Sequence, residues 1–285
     1  MGKFLRAFGT VLWTAAFAVL LTAVTSGVWS GLLLVNLSTT PALPWAALLM
    51  ALIVSVGLGY LGGRWGPKRT QTARRNYLRA HPLSPQLFAL AVTAGVLGVI
   101  ALAGLWIVLV QLVKVPGNSA PDFSHYPPLT VIATLAMAAV SGAVSEEAGF
   151  RGYFQGTLEK YLPGPIAILV CALVMAPEHA LTQGFVWPVL LFYLLVDAML
   201  GVSAWLTKSI LPGIAIHAVG LFVFFALVWP QDKHRELIWQ SGADHWFWIH
   251  LAQAIVFAVL GIILFRRVAR EAARAAFIHQ QGAVS

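Results

Sequence analysis

Glu146-Glu147-Ala148-Gly149-Phe150-Arg151 sets two carboxylates and a guanidinium inside an otherwise apolar stretch, and two histidines, His179 and His217, follow in separate apolar segments. An ionisable group in hydrocarbon costs several kcal/mol, so such groups face a polar interior and mark a functional path. Successive residues on a helix point about 100° apart, so Glu146 and Glu147 are expected to face different partners. Glu147 and Arg151, at i and i+4, are expected to pair as a structural ion pair. That leaves Glu146 as the candidate general base, the group that would take a proton from water.

Whether the histidines can join Glu146 depends on the elements that carry them. If the helices on either side of Leu162–Pro163 form an antiparallel hairpin, Glu146 and His179 lie equally far from the turn and come level in depth. A helix from 128 to 160 would be about 48 Å long at ~1.5 Å per residue, against a hydrocarbon core of ~30 Å. It must therefore protrude into the cytoplasm around Thr157–Gly164 or break near Gly149 or Gly152, and protrusion brings His217 to the same level. Pro177, two residues before His179, removes a backbone donor, and the resulting kink could aim His179 inward. Glu178 points to another face and either pairs or meets water. Asp197 either completes the polar site or caps a buried interhelical bond. In isolation, His179 and His217 would be read as histidines hydrogen-bonded between helices; their placement with the acidic motif favours a shared site.

The compartment follows from composition. With 59% hydrophobic and 10% charged residues and a mean hydropathy of +0.82, the chain is no soluble globule. Apolar runs at 10–35, 43–62, 87–112, 128–147 continuing to 160, 165–182, 186–206, 210–229 and 246–265 predict an all-α polytopic membrane protein of about eight transmembrane helices. Runs such as Leu190–Leu195 do not alternate, which excludes a transmembrane β-barrel. With the N-terminus inside, this count leaves only Lys114, Lys233 and Arg235 of the 18 lysines and arginines outside. Cytoplasmic loops hold the excess positive charge, so both termini are expected in the cytoplasm of a cell whose plasma (inner) membrane holds the protein.

The same asymmetry accounts for the net charge of +8. Those cations sit in short loops beside apolar spans, where anionic headgroups, not nucleic acid, are the nearer partner. The 266–285 tail is basic and cytoplasmic; from Arg266 to Phe277 it reads as an interfacial helix or as a solvated stop-transfer flank. The first span begins after Lys3 and Arg6 and is too long for a signal-peptide core, so it reads as a retained helix. Cys171 is the only cysteine, which excludes intrachain disulfides and cysteine-clustered metal sites. No repeat or soluble second domain is visible, so 1–285 reads as a single membrane domain with Gly62–Ser84 as its longest cytoplasmic loop. His81, His125, His234, His245 and His279 read as solvated, His250 as interfacial. Trp45, Trp65, Trp187, Trp229, Trp246 and Trp248 fit an interfacial belt.

From about 128 to 225 the chain resembles the CAAX-protease and bacteriocin-processing family of intramembrane endopeptidases, also called the Abi family. The resemblance rests on Glu146-Glu147-x-x-x-Arg151, a histidine in the next helix, and Leu211-Pro-Gly-Ile-Ala-Ile-His217 after a short Thr-Lys-Ser turn. It implies that Glu146 activates the attacking water, that His179 assists, and that His217 stabilises the oxyanion or ligates a metal. Glu147 and Arg151 would support the site or orient substrate, with Glu178 and Asp197 as auxiliary candidates. A mechanism without cofactor is favoured; zinc held by Glu146, His179 and His217 is the alternative. The implied substrate is a membrane-associated peptide or protein tail cut near the cytoplasmic face. Two positions depart from the family pattern. Met175 stands where phenylalanine is usual, four residues before His179. Leu221 stands where asparagine or aspartate is usual, four residues after His217, and can neither donate a hydrogen bond nor bind metal.

Two other classes fit the same residues. A catalytically silent scaffold, maturation or immunity protein would explain Leu221. A proton-coupled transporter would also place acids and histidines in the membrane, but the chain lacks the inverted repeat expected of many transporters. The charge asymmetry makes the topology testable. Single cysteines introduced within Gly62–Arg75 and in the C-terminal tail of a Cys171-free chain should label from the cytoplasmic side, and those at Asp122 and Asp232 from the outside. A C-terminus labelled from outside would overturn the eight-helix count.

Overall fold

Every long apolar run of the sequence is helical in the computed structural model, which describes residues 2–115, 122–230 and 236–282. Of the described residues 84% are helical, and none lies in a strand. The elements are α1 (Gly2–Thr39), α2 (Trp45–Leu61), α3 (Lys68–Leu78), α4 (Pro85–Leu112), α5 (Pro128–Glu146), α6 (Gly156–Leu158), α7 (Gly164–Gln183), α8 (Trp187–Thr207), α9 (Leu211–Val223), α10 (Ile238–Ser241) and α11 (His245–Gly282). A π-helical segment, Glu147–Gln155, joins α5 to α6, and a second, Phe224–Val228, extends α9. Among the described residues seven helices are long and apolar enough to cross a membrane; a further apolar helix, α2, has 17 residues. The protein is an all-α integral membrane protein. Lys233, His234 and Arg235 lie outside the described residues.

Contacts gather into two units interleaved along the chain. The first comprises residues 1–80, 119–167 and 217–230. In it α1 packs on α5 and on the π-helical segment, α2 on α5, and α3 on the π-helical segment. Trp29, Ala46, Met50 and Met137 form an apolar core between α1, α2 and α5. The second unit comprises residues 81–118, 168–216 and 231–285. There α4 packs on α11 and α8, with Leu87, Ala91 and Ala94 buried against Val268. α4 starts where the sequence directs: Pro85 occupies its first turn, and the Ser84 hydroxyl accepts from Leu87 N–H at 3.3 Å.

Three stretches gain detail beyond the sequence reading, and one of those readings is corrected. The α winding of the 128–160 run ends at Glu146 and widens to π over Glu147–Gln155, the stretch that holds Gly149 and Gly152, and all nine residues of that segment are buried. Glycines explain why the wider turn is tolerated, since each receives a neighbour at close range. A β-carbon on Gly149 would lie 3.0 Å from Ala18 Cα, and one on Gly152 2.8 Å from the Leu78 carbonyl oxygen. The Gly62–Ser84 stretch is no plain loop. Lys68–Leu78 forms α3, which ends at Arg79 in the left-handed region (φ 57°), and Arg74, Leu78 and Arg79 are buried. Finally, the basic tail begins as an uninterrupted continuation of α11. The apolar stripe runs on past Arg266 and Arg267 through Leu264, Val268 and Ala272, so this stretch packs on α4.

The glycine contacts predict opposite outcomes for one substitution at two sites. Gly149→Ala must push back the α1 backbone, so it should destabilise the protein by about 1–3 kcal/mol, the usual cost of overpacking. Gly57 in α2 has nothing within 4 Å of its missing β-carbon. Gly57→Ala should therefore leave stability unchanged or raise it by up to ~1 kcal/mol through helix propensity. Thermal unfolding in detergent measures both.

Candidate active site

Four ionisable side chains meet in the first unit. α5 carries Glu146 on its last turn; the π-helical segment carries Glu147 and Arg151; α9 carries His217. Glu147 Oε1 lies 3.1 Å from His217 Nδ1, a hydrogen bond, and 3.5 Å from Arg151 Nε. Glu146 Oε2 lies 3.4 Å from His217 Nε2. The imidazole is thus held between two carboxylates, one on each nitrogen. Glu147 and Arg151 are shut from solvent at 0% and 1% exposure, whereas Glu146 retains 8%. Of the two acids, Glu146 is the one with surface left to meet a small molecule.

This geometry overturns the expectation that Glu146 and Glu147 face different partners. Their directions do diverge, but an imidazole offers a nitrogen on each of two edges, and two glutamate side chains converge on the ring from either side. The switch from α to π winding falls between them. The Glu147–Arg151 pair is present as expected, yet Glu147 does not belong to it alone. The proton inventory is shared as well. A neutral imidazole has one N–H, so bonding both carboxylates takes a proton on each nitrogen or one on a carboxyl group.

Apolar and small residues frame the cluster. Ser145, buried beside Glu146, turns its hydroxyl back to the Ser141 and Gly142 carbonyls at 2.9 and 3.1 Å. A β-carbon on Gly142 would lie 3.1 Å from Leu221 Cδ1 and 3.7 Å from Glu146 Oε1. Leu221, one turn beyond His217, therefore packs beside the turn that presents Glu146, and Gly142 makes the room.

The other sequence-selected residues lie in the second unit. His179 stacks on Tyr193, with ring centroids 4.0 Å apart and planes 13° apart. The Tyr193 hydroxyl accepts from Gln183 Nε2. Asp197 is buried in α8 within electrostatic reach of Glu178. Pro177 sits inside α7, which runs unbroken from Gly164 to Gln183.

Zinc finds only part of a ligand set here. Glu146 Oε2 and His217 Nε2 are spaced as two ligands of one tetrahedral ion would be, with Glu147 on Nδ1 as the outer partner such histidines usually have. A catalytic zinc takes three protein ligands. No cluster of three or more His, Cys, Asp or Glu able to hold a metal occurs among the described residues. Glu146 Oε2 and His217 Nε2 are two of the three ligands such an ion would take.

The sequence reading passed over Arg79, Gln155 and Glu159. Arg79 Nη1 and Nη2 each lie 3.2 Å from a Glu159 carboxylate oxygen, and Gln155 Nε2 donates to Glu159 Oε1 at 3.0 Å. The available signal was Glu159 itself, an acid two turns beyond Arg151 in the same helical run.

An all-α membrane protein with two helix-borne glutamates closing on a histidine is the class that fold and site define. Residues 128–223 match the family model of type II CAAX prenyl endopeptidase Rce1-like proteins, consistent with the CAAX-protease and bacteriocin-processing family. No curated protein and no solved structure matches the chain. The matched residues run from the start of α5 to the end of α9 and hold Glu146, Glu147, Arg151, His179 and His217.

The buried ion pairs predict an asymmetry in stability. Arg151→Met strips a fully buried carboxylate of its cation and should cost about 3–5 kcal/mol. Adding Glu147→Gln removes the stranded charge, so the double variant should regain more than half of that loss. Thermal or denaturant unfolding of the wild type, Arg151→Met, Glu147→Gln and the double variant checks it. A double variant no more stable than Arg151→Met would show that the pair is not coupled.

Proposed function

We propose that the protein is an intramembrane endopeptidase of the CAAX-protease type that cleaves a membrane-associated peptide or protein tail with glutamate-activated water. The observation carrying this reading is the clamp on His217, in which Glu147 takes Nδ1 and the more accessible Glu146 faces Nε2, within the residues that match the family model. Glu146 accepts a proton from water as the water oxygen attacks the scissile carbonyl carbon. With Nδ1–H bonded to Glu147, the ring orientation is fixed, and in its doubly protonated form His217 donates Nε2–H to the oxyanion. The tetrahedral intermediate collapses with cleavage of the C–N bond, and the proton on Glu146 passes to the leaving nitrogen. His179 assists at the water, and Arg151 holds Glu147 in place. Membrane lipids surround the protein, and both termini face the cytoplasm.

A second reading has its own support. Leu221 occupies the neighbourhood of Glu146 where the family pattern has a polar side chain, and losing one oxyanion donor costs about 100- to 1000-fold in measured enzymes. A catalytically silent scaffold, maturation or immunity protein would carry such a change without penalty.

One experiment separates the two. The purified protein in lipid vesicles is profiled against an unbiased peptide library, and its best substrate is then tested with Glu146→Ala and Leu221→Asn. The endopeptidase reading expects Glu146→Ala to lower kcat by at least ~100-fold, the low end for general acid–base catalysis. It expects Leu221→Asn to change the rate without unfolding the chain. A rise means that a donor was missing; a fall means that another group already serves the oxyanion. Identical background hydrolysis in all three proteins would establish the scaffold reading instead.

A further inference from the structure

We propose that Arg79 is a positioning residue for the π-helical segment that carries Glu147 and Arg151. Positive charge between membrane spans ordinarily stays in water, and Arg64, Lys68, Arg69 and Arg75 do so. Arg79 does not. It is 8% exposed, its backbone holds a left-handed conformation that β-substituted residues adopt reluctantly, and its guanidinium grips both Glu159 oxygens. Nη1 also donates to the Arg151 carbonyl oxygen at 3.4 Å. This planar two-pronged fit is one that lysine cannot reproduce.

The fold reserves space for the contact. A β-carbon on Gly156 would come within 2.7 Å of Arg79 Cδ, and one on Gly152 within 2.8 Å of the Leu78 carbonyl. Gly152 and Gly156 lie on either side of Gln155, which bonds the same Glu159 carboxylate. On the far flank Tyr77 stacks on Tyr153, and Lys160 lies over the Tyr77 ring. The C-terminal end of α3 is thus seated on the segment at successive points, and Arg79 is the one that bonds the backbone of the residue pairing with Glu147. The π winding sets where Glu147 and Arg151 point, so a contact that pins this backbone governs how Glu147 holds His217. The kinetic part of this inference rests on the endopeptidase reading; the structural part does not.

The test uses the full chain with Arg79→Met, Arg79→Lys and Glu159→Gln. Misplacing a reactive group by about 1 Å from a distance can cost about 100-fold, so Arg79→Met should lower kcat by about that factor with little change in KM. Arg79→Lys should recover only part of the loss, and Glu159→Gln should show a smaller loss of the same kcat-selective kind. Hydrogen exchange supplies a readout independent of catalysis: amides of Ala148–Gly156 should exchange faster in the variants while those of α4 and α8 keep their wild-type rates. If wild type cleaves nothing but the exchange pattern holds, the endopeptidase reading fails and the positioning role stands. Should Arg79→Met not fold, Glu159→Gln carries both measurements. Acceleration spread evenly over the chain, or lowered melting temperature with unchanged kcat and unchanged exchange at Ala148–Gly156, would overturn the proposal.

Discussion

Glu147 is a carboxylate without solvent exposure in a membrane protein, and much of the first unit can be understood as the means of keeping it there. A buried charge without partners is too costly to persist, so Glu147 needs Arg151 and His217 at once. Arg151 comes from the same helical run, one turn on. His217 comes 70 residues later, and its arrival fixes the register of α9 against the end of α5. Once that ring is seated, its second nitrogen faces Glu146, and the two glutamates acquire different roles through burial alone. The deeper one is consumed by holding the ring. The shallower one keeps surface to spare.

The architecture around the cluster serves the same constraint. α1 closes on Gly149 and the end of α3 on Gly152, so these two glycines of the π-helical segment work as seats for neighbouring backbone, and Gly156 just beyond it makes room for the Arg79 side chain. Without side chains at those points, two helices can seal a segment whose wider winding would otherwise leave gaps. Gly149 supplies this on the side facing Ala18, where any β-carbon would press directly on main chain. This is why the segment can be buried along its whole length while it holds charged and polar side chains.

The sequence made much of this legible, and each miss has its own physical cause. Long apolar runs report a membrane helix through length alone, so six of the eight apolar helices were readable closely at both ends, whereas α1 starts eight residues before the run at 10–35 and α11 continues 17 residues beyond the run at 246–265. Acids in those runs stand out because the medium makes them expensive, which is why Glu146, Glu147 and Arg151 could be singled out together. What one-dimensional spacing does not carry is how a side chain with two functional edges divides itself. The 100° step between neighbours, with Glu147 assigned to Arg151, gives the expectation that Glu146 is left over, whereas one ring lies within reach of both acids. Arg79 was hidden by a different simplification: counting cations to orient the helices treats every arginine in a loop as solvated. The π winding had a visible trace in the glycine spacing 149, 152 and 156, but its meaning depends on α1 and α3 approaching, which local propensity does not encode.

Leu221 is where these physical demands and the proposed chemistry pull in different directions. A polar side chain one turn after His217 would stand beside Glu146 and could serve an oxyanion, but it would also need partners of its own in an apolar wall. Leucine removes that requirement and fills the space that Gly142 leaves. The cost is one donor fewer where negative charge would develop. If the chain hydrolyses peptides, the donors must therefore come from His217 or from the substrate-facing residues around it, and the clamp by Glu147 becomes the feature on which transition-state stabilisation depends.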